Sequence, residues 1–398
     1  MVKEKTFTSY NDNILGTYTR MPAIFVKGKG MTLTDVTGKT YLDFFPGWGV
    51  NNVGHCHPKV MSAVRDQIGK LIFVPNIFYH IPQAKLAHEI IRTSFAGKVF
   101  FCNSGAEAAE AAIKFARAFG QKDGRFEIVA MKNSFHGRTL GALAATGQTK
   151  YQQGFDPLPP GFTHVPFNDF AALKFAVTDK TAAIMMELVQ GEGGINIADK
   201  EYIKNVRHLC DEKNILLIID EVQTGMGRTG EMFCFKNYGI TPDLMMLAKA
   251  LGGGLPIGAL VVAKKLSDVL KPGMHASTFG GGPVICKAAL GVFKAIQTDH
   301  MLANTRTMGE YLLNELKKLQ QKFPCIVDVR GLGLMIGVSL NREGKSVVEE
   351  CFRRGMIINC TQEKILRLMP ALNVTRRQIN KALLILEQAL QTVTETTP

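Results

Sequence analysis

Ile215-Leu-Leu-Ile-Ile-Asp220 and Leu244-Met-Met-Leu-Ala-Lys249 are short apolar runs that each close on a charged side chain. Ala182-Ala-Ile-Met-Met-Glu187 has the same form. These runs are apolar on both alternations, as strands of a sheet covered on both faces are. Val99-Phe-Phe-Cys102, Glu127-Ile-Val-Ala-Met131 and Ala259-Leu-Val-Val-Ala263 also read as strands. Helical patterns separate several of them, including an alanine-rich stretch near 105–119. Pro58 and Pro82 each suit the first turn of a helix. After Pro58, Val60, Met61, Val64, Ile68 and Leu71 recur at three- and four-residue steps, which is one helix face. Strands alternating with helices predict an α/β fold with a mixed, mainly parallel sheet.

Outward from this centre the style changes. Residues 1–50 mix polar stretches with short strand-like pieces such as Tyr41-Leu-Asp-Phe-Phe45. Beyond residue 280 come helices over 284–297 and 301–322. Short strands follow at 326–330, 334–339, 356–359 and 365–369, then a closing helix over 375–394. The expected division is an N-terminal segment (1–57) packing with a smaller α+β domain (281–398), and a large domain (58–280) between them. A chain of 398 residues is long enough for such a division.

Composition excludes several classes. No apolar run approaches the roughly 18 residues a membrane helix needs. The start, Met1-Val-Lys-Glu-Lys5, lacks the apolar stretch of a signal peptide, so a cytoplasmic location is expected. The net charge is +13. Yet there is no long basic run and no aromatic-basic motif, so no nucleic-acid partner is expected. Lys317-Lys318, Arg353-Arg354 and Arg376-Arg377 read as solvated helix faces. None of the 8 cysteines forms a Cys-x-x-Cys pair, which points to reduced, mostly buried thiols.

The chemistry lies at the strand ends. In open α/β sheets ligands bind at the carboxyl ends of strands, so Asp220, Glu187 and Lys249 could meet at one site. A lysine there is costly unless it has a partner or a task. One such task is an imine to an aldehyde cofactor. Pyridoxal phosphate would then need a carboxylate such as Asp220 to keep its ring nitrogen protonated. It would need backbone N–H donors for its phosphate, which a helix start at Ser104-Gly105-Ala106 provides. It would need an apolar wall, for which Phe135 in Ser134-Phe-His-Gly-Arg138 is suited. Each piece alone has a structural reading: Asp220 as a cap, Ser104-Gly105 as a turn, Gly252-Gly-Gly254 as a loop. Their order and spacing together carry the assignment.

Asp220-Glu-Val-Gln-Thr-Gly-Met-Gly-Arg-Thr-Gly230, then Pro242-Asp243 and Leu247-Ala-Lys-Ala-Leu-Gly-Gly-Gly-Leu-Pro-Ile-Gly258, resembles the signature of the class III aminotransferases. The acetylornithine and ornithine enzymes are the most similar in pattern. Asn51-Asn-Val-Gly-His-Cys-His-Pro58, Asn103-Ser-Gly-Ala-Glu-Ala108, Gln190-Gly-Glu-Gly-Gly194 and Thr278-Phe-Gly-Gly281 extend the match over nearly the whole chain. The resemblance implies a fold-type I pyridoxal-phosphate enzyme, homodimeric, with sites at the subunit interface. By matched position Lys249 would be the Schiff-base lysine and Asp220 the partner of the ring nitrogen. Ser104, Gly105 and Ala106 would hold the phosphate, helped by Thr278 of the partner subunit. Phe135 would stack on one ring face and Val222 on the other, and Gln223 would reach the ring hydroxyl. Arg138 and Arg367 would grip substrate carboxylates. Glu192 would neutralise one of those arginines when the amino donor lacks a distal carboxylate. On pattern alone, Arg367 in Ile365-Leu-Arg-Leu-Met-Pro370 would be an exposed strand arginine.

The implied activity moves the δ-amino group of N-acetylornithine to 2-oxoglutarate, a step in arginine biosynthesis, with Lys249 shuttling the proton. Ornithine, 4-aminobutyrate or another ω-amine remain open as donors. So does an aminomutase of the glutamate-semialdehyde type. A non-enzymatic phosphate-binding protein would have no use for both Lys249 and Asp220. The chain departs from the family pattern at Leu188 (usually proline), Ala250 (glycine), Gly282 (often asparagine) and Trp48 (smaller apolar residues), and Trp48 lies near the implied substrate entrance. Three other motifs carry no chemistry. Gly331-Leu-Gly-Leu-Met-Ile-Gly337 lacks the strand–loop–helix context of a dinucleotide loop, His55-Cys-His57 is too small for a metal site, and Lys264-Lys265 belongs on the surface.

Overall fold

The computed structural model describes residues 2–396. At its centre is a seven-stranded sheet. Its spatial order is Gly97–Cys102, Gly258–Ala263, Leu244–Leu247, Leu216–Asp220, Thr181–Glu187, Glu127–Met131 and Phe162–Val165. From Leu244–Leu247 to Phe162–Val165 the strands run parallel. Gly258–Ala263 is antiparallel to both of its neighbours. The segment between Leu247 and Gly258 holds only a tight turn at Lys249–Gly252. A parallel return needs a crossover of about a dozen or more residues, so the chain comes back antiparallel.

The doubly apolar strands divide their side chains between two cores. Ile184, Met186, Leu217, Ile219, Met245 and Leu247 join Tyr202, Ile203 and Val206 of helix Lys200–Lys213. Ala183, Met185, Leu216, Ile218 and Met246 join helix Gly105–Gly120 on the other side. Ala108, Ala109, Ala111, Ala112 and Ala116 face this second core, and their small side chains let that helix lie close to the strands.

The C-terminal part follows the expected order. Helices Pro283–Thr298 and Met301–Lys322 precede an antiparallel sheet of Ile326–Leu332, Met335–Leu340, Ile365–Leu368 and Asn359–Thr361, and helix Arg376–Thr396 closes it. A separate sheet joins Phe25–Lys29, Thr32–Asp35 and Thr40–Asp43 to Met356–Ile357. Fully buried Arg228 ties three segments together. Its guanidinium donates to the carbonyls of Leu334 and Pro370 at 2.7 and 2.6 Å and to the side chain of Asn52. Burial pulls its pKa down to about 9.

Several expectations change. Val2–Asn13 is a helix, whereas the first residues read as polar with strand-like pieces. The strand expected through Phe45 stops at Asp43, because the Asp43 carboxylate accepts from the Phe45 N–H at 3.0 Å and turns the chain. Phe162–Val165 adds an edge strand that four mixed residues did not announce. Gly331–Gly337 spans an antiparallel hairpin. His57 caps helix Pro58–Ile68, and His55 bonds Asp43 at 2.7 Å. Lys264 and Lys265 are exposed, although Lys265 reaches the buried Asp243 at 2.9 Å. All 8 cysteines are free, and only Cys56 is exposed and Cys360 half-buried. No helix among the described residues is long and apolar enough to cross a membrane.

One glycine fixes how the hairpin seats. Gly309 lies inside helix Met301–Lys322, and a Cβ there would stand 2.3 Å from the Gly333 carbonyl oxygen at the hairpin turn. In an unpacked helix, alanine would gain about 1 kcal/mol over glycine. Here overpacking reverses the sign, so Gly309→Ala is expected to lower stability by roughly 1–3 kcal/mol. Thermal unfolding checks this, and a raised midpoint would refute the packing account.

Candidate active site

The strand register brings the reactive residues together. Asp220 stands opposite Glu187 on one neighbouring strand and Met246 on the other. Lys249 lies just beyond the end of the second neighbour. All three polar residues line one cavity of about 640 Å³, with Ser104, Gly105, Ala106, Phe135, Arg138, Glu192, Val222 and Gln223. The sheet's carboxyl edge therefore collects side chains far apart in the sequence.

Lys249 has φ of 44°, in the left-handed region. Such strain in a non-glycine residue persists where the surroundings enforce it, commonly at functional sites. Its side chain is half-buried. Burial lowers the pKa of its ammonium by more than the charges of Glu192 and Asp220 raise it. A lowered pKa makes the neutral, nucleophilic amine more available near neutrality.

Asp220 is held on both oxygens. Oδ1 accepts from the Val222 N–H at 2.9 Å, and Oδ2 meets His136 Nδ1 at 2.8 Å. His136 is buried, which alone would favour the neutral ring, but the bond and charge of Asp220 prevail and raise its pKa. Glu187 is the opposite case. Burial pushes its pKa up to about 7, even though it accepts from the N–H groups of Phe135 and Gly191 at 3.1 and 3.2 Å. It braces the segment that carries Phe135 and His136.

Two arginines differ in their partners. Arg138 is exposed, and its guanidinium lies over Tyr151 at 4.1 Å and Phe135 at 5.5 Å from the ring centroids. Aromatic faces hold a cation without using its hydrogen-bond donors, so the fork stays open to an incoming carboxylate. Arg367 is only 1% exposed, which corrects the exposed position its strand pattern alone suggested. It pairs with Glu192 at 2.6 Å, bonds Asn359 through two nitrogens and lies over Phe45 at 4.9 Å. Burial raises the Glu192 pKa, but Arg367 more than offsets this and the net shift is downward.

The cavity has features that fit an aromatic aldehyde phosphate. Gly105 and Ala106 open a 16-residue helix capped by Ser104, and first-turn N–H groups have no intrahelical acceptor. A Cβ on Gly105 would lie 3.1 Å from Val222, so a side chain there would narrow the space between helix start and Val222. Gln223 Oε1 is buried without a hydrogen-bond partner, an acceptor suited to a hydroxyl donor. Thr278 is exposed and is not among the residues lining the cavity. No cluster among the described residues could hold a metal ion.

Residues 16–390 match the family model for Aminotransferase class-III. The chain belongs to the class-III aminotransferases. It is 52% identical to the acetylornithine aminotransferase of Methanocaldococcus jannaschii, over 93% of this chain and 94% of the relative. The acetylornithine aminotransferase of Caldanaerobacter subterraneus is 48% identical, with 96% and 98% covered. Among solved structures, the ornithine aminotransferase of Toxoplasma gondii superposes with a TM-score of 0.95 at 30% identity, covering 99% of this chain and 96% of that one. Class-III aminotransferases depend on pyridoxal phosphate.

Sequence reading missed some residues of this aminotransferase site. His136 lay inside a quoted motif, but its partner Asp220 is 84 residues away and only the fold joins them. Tyr18 and Val50 line the cavity from the N-terminal segment. Tyr151, beneath Arg138, carried no motif at all. One consequence is chemical. In protein stripped of bound aldehydes, Lys249 should be the lysine most readily alkylated by acetaldehyde and cyanoborohydride. Labelling needs the neutral amine, so its pH midpoint should fall below that of surface lysines. Peptide mass spectrometry over a pH series checks this, and a Lys249 midpoint at or above the surface value would refute it.

Proposed function

We propose that this aminotransferase moves the δ-amino group of N-acetylornithine to 2-oxoglutarate, giving a semialdehyde and glutamate, within arginine biosynthesis. Identities of 52% and 48% to acetylornithine aminotransferases support the donor. The observation that carries the reading is the contrast between Arg138, open on its aromatic bed, and Arg367, closed by Glu192. A donor with one carboxylate needs one free arginine. A dicarboxylate keto acid needs two, and Glu192 must then release Arg367.

In this reading pyridoxal phosphate supplies an electron sink that stabilises the carbanion next to the amine. Lys249 would hold its aldehyde covalently, and Asp220, steadied by His136, would keep the ring nitrogen protonated. Ser104, Gly105 and Ala106 would take the phosphate, with Thr278 of the partner subunit. Phe135 and Val222 would flank the ring, and Gln223 would meet its hydroxyl. Lys249, freed as an amine, would take the proton from the donor carbon as general base and would deliver it as general acid to the cofactor's aldehyde-derived carbon. Its lowered pKa suits both roles. Arg138 would bind the donor's carboxylate or one carboxylate of the keto acid, and Arg367 would bind the keto acid's other carboxylate.

The same reading takes the protein as a cytoplasmic homodimer. It takes residues 58–280 as the cofactor-binding domain, 281–398 as a smaller domain, and 1–57 as a segment packed with it. Ornithine is the second donor to consider, because solved structures at 30% identity include ornithine aminotransferases.

Initial rates with 2-oxoglutarate and N-acetylornithine, ornithine or 4-aminobutyrate, and isotope exchange with glutamate, test the donor, and N-acetylornithine should give the highest kcat/KM of the three net donors. A higher value for ornithine or 4-aminobutyrate would overturn the assignment. Glu192→Gln should lower the ratio of kcat/KM for N-acetylornithine over glutamate by about tenfold or more, because a buried charged partner of Arg367 is lost. An unchanged ratio removes Glu192 from the switch.

A further inference from the structure

The loop that carries Glu192 is bonded along its main chain by side chains of the C-terminal sheet. Arg367 donates to the Gly191 carbonyl at 3.0 Å. Thr361 Oγ1 and Gln362 Nε2 both donate to the Glu192 carbonyl at 2.8 Å. Arg330 donates to the carbonyls of Gly194 and Ile195 at 2.6 and 3.0 Å. The Gly193 carbonyl accepts from Asn196 at 3.0 Å within the loop itself. Thus five successive carbonyls, 191 to 195, are each met by a side-chain donor.

The donors are specially placed. Thr361 and Gln362 sit at the tip of the hairpin formed by Asn359–Thr361 and Ile365–Leu368, whose second strand carries Arg367. One hairpin therefore holds Glu192 at both ends, by its carboxylate and by its carbonyl. Gln362 and Glu363 have φ of 47° and 60°, so the tip is a left-handed turn built from non-glycine residues. The second hydrogen of the Gln362 amide goes to Gln148 Oε1 at 2.9 Å. Gln148 in turn donates to the Ser134 carbonyl at 3.0 Å, beside Phe135 and His136. The loop also has little room to shift. A Cβ on Gly194 would lie 2.5 Å from Ile365, and one on Gly193 2.6 Å from the Asn133 carbonyl oxygen.

We infer that Arg330, Thr361 and Gln362 are positioning residues that clamp the main chain of residues 191–195, so that substrate switching is confined to rotation of the Glu192 side chain. This rests on the reading of Glu192 and Arg367 given above. When a dicarboxylate displaces the Glu192 carboxylate, the carbonyl bonds remain and preserve the point of return. Without them residue 192 drifts, and the carboxylate no longer closes on Arg367 when a donor with one carboxylate binds.

The holoenzyme variants Gln362→Met and Arg330→Met remove the amide and guanidinium donors at similar side-chain length, and Thr361→Val removes a hydroxyl at nearly constant shape. In Gln362→Met and Arg330→Met, the ratio of kcat/KM for N-acetylornithine over glutamate should fall about tenfold, the effect of losing one or two hydrogen bonds. Glutamate–2-oxoglutarate exchange should stay near the parent rate. Amide hydrogen exchange across residues 188–197 should quicken in the same variants with little change in the unfolding temperature. Thr361→Val should act in the same direction and more weakly, and it guards against a variant that fails to fold. An unchanged ratio, or donor and exchange rates falling together, overturns the clamp. If Glu192→Gln shifts the ratio and the clamp variants do not, the clamp alone is wrong. If Glu192→Gln also leaves it unchanged, the underlying switch is wrong.

Discussion

Asp220 is paired in register with Glu187 on one side and Met246 on the other, and the remaining cavity residues are arranged around that alignment. Three parallel strands end level, so a carboxylate, a second carboxylate and a lysine arrive at one edge. A slip of one residue in such a ladder would turn every side chain to the opposite face. It would move Asp220 from the cavity toward the helix layers. Alternate residues of these strands belong to different cores, which is what forbids the slip.

The electrostatics follow from that placement. Asp220 and Glu187 are buried and Lys249 and Glu192 half-buried, and burial is the leading influence on Lys249, Glu187 and Glu192. The outcome for each depends on its neighbours. Glu192, beside Arg367, ends with a lowered pKa, whereas burial of Glu187 outweighs the charge of His136 and two backbone N–H groups, and its pKa rises to about 7. At Lys249 burial outweighs the neighbouring carboxylates, so its amine gives up its proton more readily than that of a solvated lysine. The two arginines show the same logic: one rests on aromatic rings with its donors free, and the other is buried with its charge matched.

The C-terminal sheet is part of this site as well as a separate layer. It supplies Arg367, and through Arg330, Thr361 and Gln362 it meets the loop of its partner Glu192. Arg228 adds a second tie, reaching from the loop after Asp220 to Leu334, Pro370 and Asn52. The pairing of Arg367 with Glu192 therefore depends on how two separate sheets meet.

Periodicity made the central sheet legible in the sequence. Apolar runs of strand length ending on Glu187, Asp220 and Lys249 read as strands covered on both faces, and buried ionisable groups at their ends need a partner or a task. The family signature around Asp220 and Lys249 added the roles of the neighbouring residues. Three things depended on tertiary structure. Which loop would fold over Asp220 was decided by a contact spanning 84 residues, which no local pattern encodes. Whether Arg367 faced solvent or the protein interior was decided by its packing on Phe45 and its pairing with Glu192. The grip on the Glu192 loop uses isolated threonine, glutamine and arginine side chains from separate strands and turns of the C-terminal sheet. Local sequence determines which segments become strands, because that preference is set by neighbours along the chain. The hydrogen bonds that hold Glu192 in place join residues more than a hundred positions apart, so only the assembled fold could bring them together.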